Sequence, residues 1–168
     1  MESAIRQQLI ALLPRLRRFA YGLTGNQDDA DDLVQAACEK ALSRLHQWQP
    51  DTRLDSWMFR IIQTIHIDQL RARKVRGESV DPVEADKIPS PNGAQAAESQ
   101  HTLELVRRAM DQLPEDQRLV LVMICIDGQS YQEAATTLEV PVGTVMSRLA
   151  RARRRVHELV HGSKDSPT

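Results

Sequence analysis

The stretch from Gln129 to Arg155 limits this chain more than any other. It reads Q-S-Y-Q-E-A-A-T-T-L-E-V-P-V-G-T-V-M-S-R-L-A-R-A-R-R-R. Ser130 followed by Glu133 is a capping-box pattern, which predicts a helix start. Ala134, Ala135 and Leu138 then fall at helical spacing and supply an inward face. Pro141 lacks an amide hydrogen and fixes its own φ, so the helix breaks over Glu139–Pro141. A second helix follows, with Val145, Leu149 and Ala152 on one stripe. Two short helices joined by a tight turn, with small residues where they cross, form a helix-turn-helix.

The second helix carries the charge. Between Val142 and His157 lie Arg148, Arg151, Arg153, Arg154 and Arg155 and no acid, a local charge of +5. Such a run suits DNA phosphates, spaced at one charge per ~1.7 Å of duplex. Side chains near the helix start, namely Thr144, Met146, Ser147, Ala150 and Arg151, can reach base edges in the major groove. A solvated basic helix end, favoured by the helix dipole, is the plainer reading of the arginines alone. The coincidence of cap, turn and basic run favours DNA.

The rest of the chain reads as helices. Ile5–Leu23 is amphipathic, with Pro14 marking a kink or break. Asn26–Leu45 follows, its first turns crowded by Asp28, Asp29, Asp31 and Asp32, and its inner stripe is Leu33, Ala37, Ala41 and Leu45. Asp32, Gln35, Glu39 and Lys40 lie outside that stripe, either as a solvated helix end or as a docking surface. Trp48 sits in a loop, anchored on the core or exposed for stacking. Ser56–Val75 is a third helix carrying Trp57, Arg60, Arg71, Arg73 and Lys74. Basic residues beside aromatics suit single-stranded or melted nucleic acid.

Residues 77–100 hold Pro82, Pro89, Pro91 and Gly93, and five acids against Lys87, a charge of -4. This composition predicts a flexible acidic linker. Extended at ~3.3–3.6 Å per residue it would reach roughly 75 Å, about two turns of duplex at ~34–36 Å each. His101–Leu113 and a helix ending near Ile126, with Leu119, Val122, Met123 and Ile126 as its apolar face, lead into the helix-turn-helix. The expected division is 1–76, linker 77–100, 101–161 and a polar tail 162–168, in an all-α fold.

Cys38 and Cys125 lie in apolar helical patterns and are expected to be buried, unpaired thiols. No signal region or membrane-length apolar run is present, so the expectation is a cytoplasmic protein without membrane insertion. No glycine-rich phosphate loop, H-E-x-x-H or C-x-x-C occurs, and the five histidines are scattered. No catalytic site, metal or cofactor is expected, and His66 reads as a structural histidine.

The run L-P-E-D-Q-R-L-V-L-V-M-I-C-I-D-G-Q-S-Y-Q-E-A-A and onward to R-A-R-R-R closely resembles the C-terminal domain of extracytoplasmic-function (ECF) sigma factors of bacterial RNA polymerase. D-A-D-D-L-V-Q-A-A-C-E-K-A-L and S-W-M-F-R-I-I-Q-T-I-H-I-D-Q-L-R-A-R-K resemble the sigma-two domain of that family. The resemblance spans roughly nine-tenths of the chain, with both domains in the family's order. It implies that core RNA polymerase docks on Asp32, Leu33, Gln35 and Glu39. It implies that Trp48, Leu54, Trp57, Arg60, Thr64, Arg71, Arg73 and Lys74 grip and melt the minus-ten element of promoter DNA. It further implies that Thr144, Met146, Ser147, Ala150 and Arg151 read the minus-thirty-five element, with Arg148 and Arg153 on phosphates. An anti-sigma protein is the expected inhibitor, in a stress or envelope response. The chain departs from the family at Thr64, where Asn is usual, and at Met146, Ala150 and Ala134, where larger residues are common. A sigma-like decoy that captures an anti-sigma protein and a stand-alone helix-turn-helix regulator are the rival readings. The decoy would not need the arginines, and no dimerisation element or ligand pocket is evident for the regulator.

Overall fold

The structure, a computed structural model, describes residues 1–77 and 93–162. Helix α1 spans Glu2–Thr24 and runs unbroken through Pro14. The carbonyl that Pro14 cannot bond belongs to Ile10, which is exposed, so water can serve it and the helix need not break. Ile5, Leu9, Leu16, Phe19, Ala20 and Leu23 form its buried stripe, and Gly25, at φ 71°, ends it. Asn26 caps α2 (Gln27–Ser43), its side-chain oxygen accepting from the amides of Asp28 and Asp29 at 2.8 and 3.2 Å. After a short 3-10 turn, α3 (Leu54–Val75) buries Leu54, Met58, Phe59, Ile61, Ile62 and His66. Phe19 and Phe59 pack with ring centroids 4.7 Å apart and join α1 to α3.

The second bundle begins with α4 (Gly93–Asp111), eight residues before the predicted start at His101. The expected linker therefore stops short at its C-terminal end, and its remainder over 78–92 lies outside the described residues. Helix α5 (Glu115–Leu121) passes into a π-helical turn, Val122–Ile126, closed by the Asp127 amide donating to the Val122 carbonyl at 2.9 Å. Helix α6 (Tyr131–Leu138) starts on the complete capping box of Ser130 and Glu133. Glu139 then adopts the left-handed conformation, φ 56° and ψ 44°, and reverses the chain into α7 (Val142–His161). Val145, Leu149 and Ala152 are buried as the stripe requires.

The two bundles do not stand apart. Their buried residues merge into one apolar cluster, with α1 against the π-helical turn and α3 against α6. Gly22 on α1 makes the closest approach: a Cβ placed there would lie 2.8 Å from Val122 Cγ1 and 3.1 Å from Ile126 Cδ1. His66 is buried on this seam, its Nε2 3.0 Å from Glu115 Oε1 but not aligned for a hydrogen bond. Two sequence expectations fail here. Cys125 is exposed and Cys38 only half-buried, and Ile126 keeps 43% of its surface in solvent. The π-helical turn carries one more residue than an α-turn, which moves both side chains off the buried stripe.

Candidate nucleic-acid interface

Helix α7 shows one apolar and one cationic face. With Val145, Leu149 and Ala152 turned inward, Met146, Ser147, Ala150, Arg151, Arg153, Arg154 and Arg155 point to solvent, while Thr144 and Arg148 are half-buried. Ser147 Oγ donates to the Thr144 carbonyl at 3.1 Å, so its hydroxyl leans back along the helix. Arg148 lies 3.6 Å from Asp116, Arg155 4.0 Å from Glu158, and Arg153 3.8 Å from the Cys125 sulfur. Among the described residues Arg151 and Arg154 make no ion pair. With Arg155, Gln112, Gln117 and Glu158 they line an open surface cavity of about 420 Å³. Cations without local partners keep their charge available for an anionic ligand, and Arg forks suit phosphate oxygens.

The residues expected to grip the minus-ten element are not one continuous surface. Arg71 and Lys74 are exposed and Arg73 half-exposed near the end of α3, and among the described residues they make no ion pair. Trp57 is half-buried against the core. Trp48 is anchored on the core as well, its buried indole nitrogen without a hydrogen-bond partner. Thr64 is exposed and its hydroxyl donates to the Arg60 carbonyl at 2.8 Å. Leu54 is 7% exposed: α3 begins here, two residues earlier than predicted, and this first side chain joins the apolar core. It cannot touch a base in this conformation. Arg60 faces the second bundle: Nε and Nη2 donate to the carbonyls of Thr137 and Thr136 at 2.9 and 2.8 Å, and Nη1 lies 3.2 Å from Glu139.

Comparison with known proteins matches each bundle to a family model. Residues 9–63 match the model described as the Sigma2 domain of PhyR, and residues 103–156 match Sigma-70, region 4. The ECF RNA polymerase sigma factor EcfG of Rhodopseudomonas palustris is 36% identical over 98% of this chain and 91% of its own length. The chain belongs to the ECF sigma factors. The ECF RNA polymerase sigma-E factor of Escherichia coli is 32% identical over 79% of this chain and 74% of its own. Among solved structures, the sigma factor RpoE crystallised with the anti-sigma factor NepR from Bartonella quintana superposes with a TM-score of 0.77 at 30% identity, covering 96% of this chain and 99% of that one. CnrH, solved in complex with the cytosolic domain of CnrY, gives 0.71 at 25% identity, over 98% and 92% of the two chains.

In this sigma factor the acidic side of α2 is a true surface. Asp32, Gln35 and Glu39 are exposed, with Gln35 Nε2 donating to Glu39 Oε1 at 3.3 Å. Leu33, expected beside them, is 1% exposed and belongs to the core, as its place on the Leu33–Ala37–Ala41 stripe demands. Sequence reasoning missed two arginines that join the bundles. Arg15 donates through Nε and Nη2 to both oxygens of Asp127 at 2.9 Å, and through Nη1 to Asp55 at 2.7 Å, with its guanidinium over the Phe59 ring. Arg53 bonds Asp55 at 2.7 and 3.1 Å and Glu133 at 2.8 Å. Burial pushes the Asp55 carboxyl up, but the hydrogen bonds from Arg53, Arg15 and the Ser56 amide outweigh it and hold it below the ordinary range. Arg53 and the Ser130 amide likewise hold Glu133 below its usual value. Arg15 sits at the edge of the α1 apolar stripe, beside Leu16, and its sequence position gives no signal of its role.

Proposed function

We propose that this sigma factor docks on core RNA polymerase, directs it to promoters of one sequence class and opens the DNA there. The observation that carries the reading is the division of α7 into a buried apolar stripe and an outward set of Met146, Ser147, Ala150 and Arg151, in which Arg151 and the nearby Arg154 make no ion pair among the described residues. That set would read the minus-thirty-five element, with half-buried Thr144 at its edge and Arg148 and Arg153 on phosphates. The α3 cations Arg71, Arg73 and Lys74, with Trp48, Trp57, Thr64 and a released Arg60, would hold the melted minus-ten element. Leu54 supports that site from beneath. The exposed Asp32, Gln35 and Glu39 would face the polymerase. The chain does no covalent chemistry; binding free energy opens the duplex.

An anti-sigma protein is the partner that would hold the factor inactive until a stress signal, as the complexes of RpoE with NepR and CnrH with CnrY support. The match of residues 9–63 to the Sigma2 domain of PhyR favours one other reading, a decoy that captures such a protein and never binds DNA. The unpaired arginines on α3 and α7 favour the promoter role, since a decoy has no use for them. Run-off transcription with core polymerase alone decides. Initiation that requires this chain supports the proposal. Absence of initiation, together with relief of an anti-sigma block, would establish the decoy.

A further inference from the structure

Two of the five histidines are not scattered. His157 and His161 stand four residues apart at the end of α7, a spacing that puts both side chains on one face. Their ring centroids are 4.5 Å apart and the ring planes cross at 48°. Both residues are exposed, so core packing does not account for the pair. Among the described residues neither imidazole has a hydrogen-bond or ion-pair partner. Two histidines at this spacing on one helix face are the arrangement by which a helix holds zinc. Two nitrogens that each lie about 2.0–2.1 Å from one ion are roughly 3 Å from each other. Rings this close reach that separation by turning about their side-chain bonds. The position suits a cation for a second reason. The carbonyls of Glu158–His161 end α7, have no partner within the helix and form the negative end of its dipole. Arg154, one turn before His157, opposes a cation, but it is exposed and its repulsion is screened by water and salt.

We propose that His157 and His161 form a binding site for one divalent transition-metal ion of the kind that takes imidazole ligands, such as zinc, copper or nickel. Water fills the remaining coordination positions, because among the described residues no third His, Cys, Asp or Glu joins the pair. The ion has a consequence for α7. Ser147, Ala150, Arg154, His157 and His161 follow one another at three and four residues and are all exposed, so they share one outward ridge. A bound ion extends the cationic part of that ridge past Arg154 and strengthens its pull on phosphates. This effect on DNA rests on the promoter reading. The metal site itself does not.

Titration calorimetry of the untagged full chain with nickel chloride tests the site, at pH about 7.5, where a histidine of ordinary pKa is neutral. The expected result is one ion per chain. Copper should bind more tightly than nickel and nickel more tightly than cobalt, while magnesium, which prefers oxygen ligands, should not compete. His157→Ala and His161→Ala remove only exposed rings, so helicity by circular dichroism should not change. Each should weaken nickel binding by about 100-fold or more, since loss of even an outer-shell partner costs about 10–100-fold. His46→Ala, an exposed histidine on the other bundle, should leave binding as it is. The visible absorption of bound copper, which moves to shorter wavelength with nitrogen ligands, should lose that shift in the same two variants. A wild type that binds no nickel, or variants that stay within about ten-fold of it, would overturn the site. A fluorescein-labelled DNA duplex at low ionic strength then reads the ridge: nickel should tighten binding by wild type and not by His157→Ala. Nickel binding with unchanged affinity for the duplex would overturn the effect on DNA and leave the metal site standing. A duplex that is not bound with or without nickel, while nickel still titrates, would count against the promoter reading and not against the site.

Discussion

Arg118 is the side chain whose removal should cost the second bundle most. It is 12% exposed and fills the corner where α4 meets α5. Its Nε donates to the Met110 carbonyl and its Nη2 to the Asp111 carbonyl, each at 2.8 Å. Longer contacts reach Leu23 at 3.4 Å and Leu113 at 3.5 Å, and Glu115 lies 3.6 Å away. These carbonyls lie at the open, negative end of α4; the Met110 carbonyl also accepts from the Leu113 amide at 3.1 Å and Asp111 is exposed, so Arg118→Met removes two charge-assisted hydrogen bonds without stripping both acceptors bare. A hydrogen bond to a charged donor contributes about 1.5–3 kcal/mol. Keeping the guanidinium from water costs part of that. With the Leu113 amide and water left to serve the acceptors, a net loss of about 1.5 kcal/mol follows. At roughly 2–4 °C per kcal/mol for a chain of this size, the thermal midpoint should fall by about 3–6 °C. Arg118→Lys should recover less than half, because one ammonium cannot reproduce a planar fork on two carbonyls. Melting followed by circular dichroism reads both. A midpoint within 2 °C of wild type for Arg118→Met, or full recovery by lysine, would refute the capping argument.

Two further outcomes follow from the geometry. Glu139→Gly should stabilise the fold by about 0.5–1 kcal/mol, because glycine removes the cost of a left-handed residue and the lost Arg60 pair is exposed; a lowered denaturation midpoint would contradict this. In acid, the seam should loosen. Asp55 and Glu133 are held below their ordinary values, so their stabilisation is complete above the unfolded values of about 3.9 and 4.3 and disappears as pH falls through the lower folded ones. The chain should stay compact at pH about 5 and expand well below pH about 4; unchanged scattering at low pH would count against these pairs.

The helix-turn-helix was legible in the residues because its signals are local. A cap three residues from its partner, a proline break and a stripe at the helical period need no knowledge of the rest of the chain. The α2 stripe was equally clear, and it was a better guide to Leu33 than the family resemblance. Leu54 was placed beside the minus-ten element by the family resemblance, and no local pattern in the sequence signals that the first turn of α3 buries it. Residues 93–100 read as linker because Gly93 and nearby prolines masked Ala94, Ala96 and Ala97, which favour helix. The seam was not legible. Arg15 and Asp127 are 112 residues apart, and Arg60 meets carbonyls that have no sequence identity at all. Periodicity says which face of a helix is buried, not which bundle covers it.

The most direct test is a footprint of the reconstituted polymerase holoenzyme on a promoter template, with permanganate to reveal unpaired thymines. The account predicts two protected patches about two helical turns apart, with melting at the downstream one. It predicts that replacing Arg71, Arg73 and Lys74 by glutamine removes the melting, and that replacing Arg151 and Arg153 weakens the upstream patch. A single protected patch, or a footprint indifferent to both sets of substitutions, would contradict it.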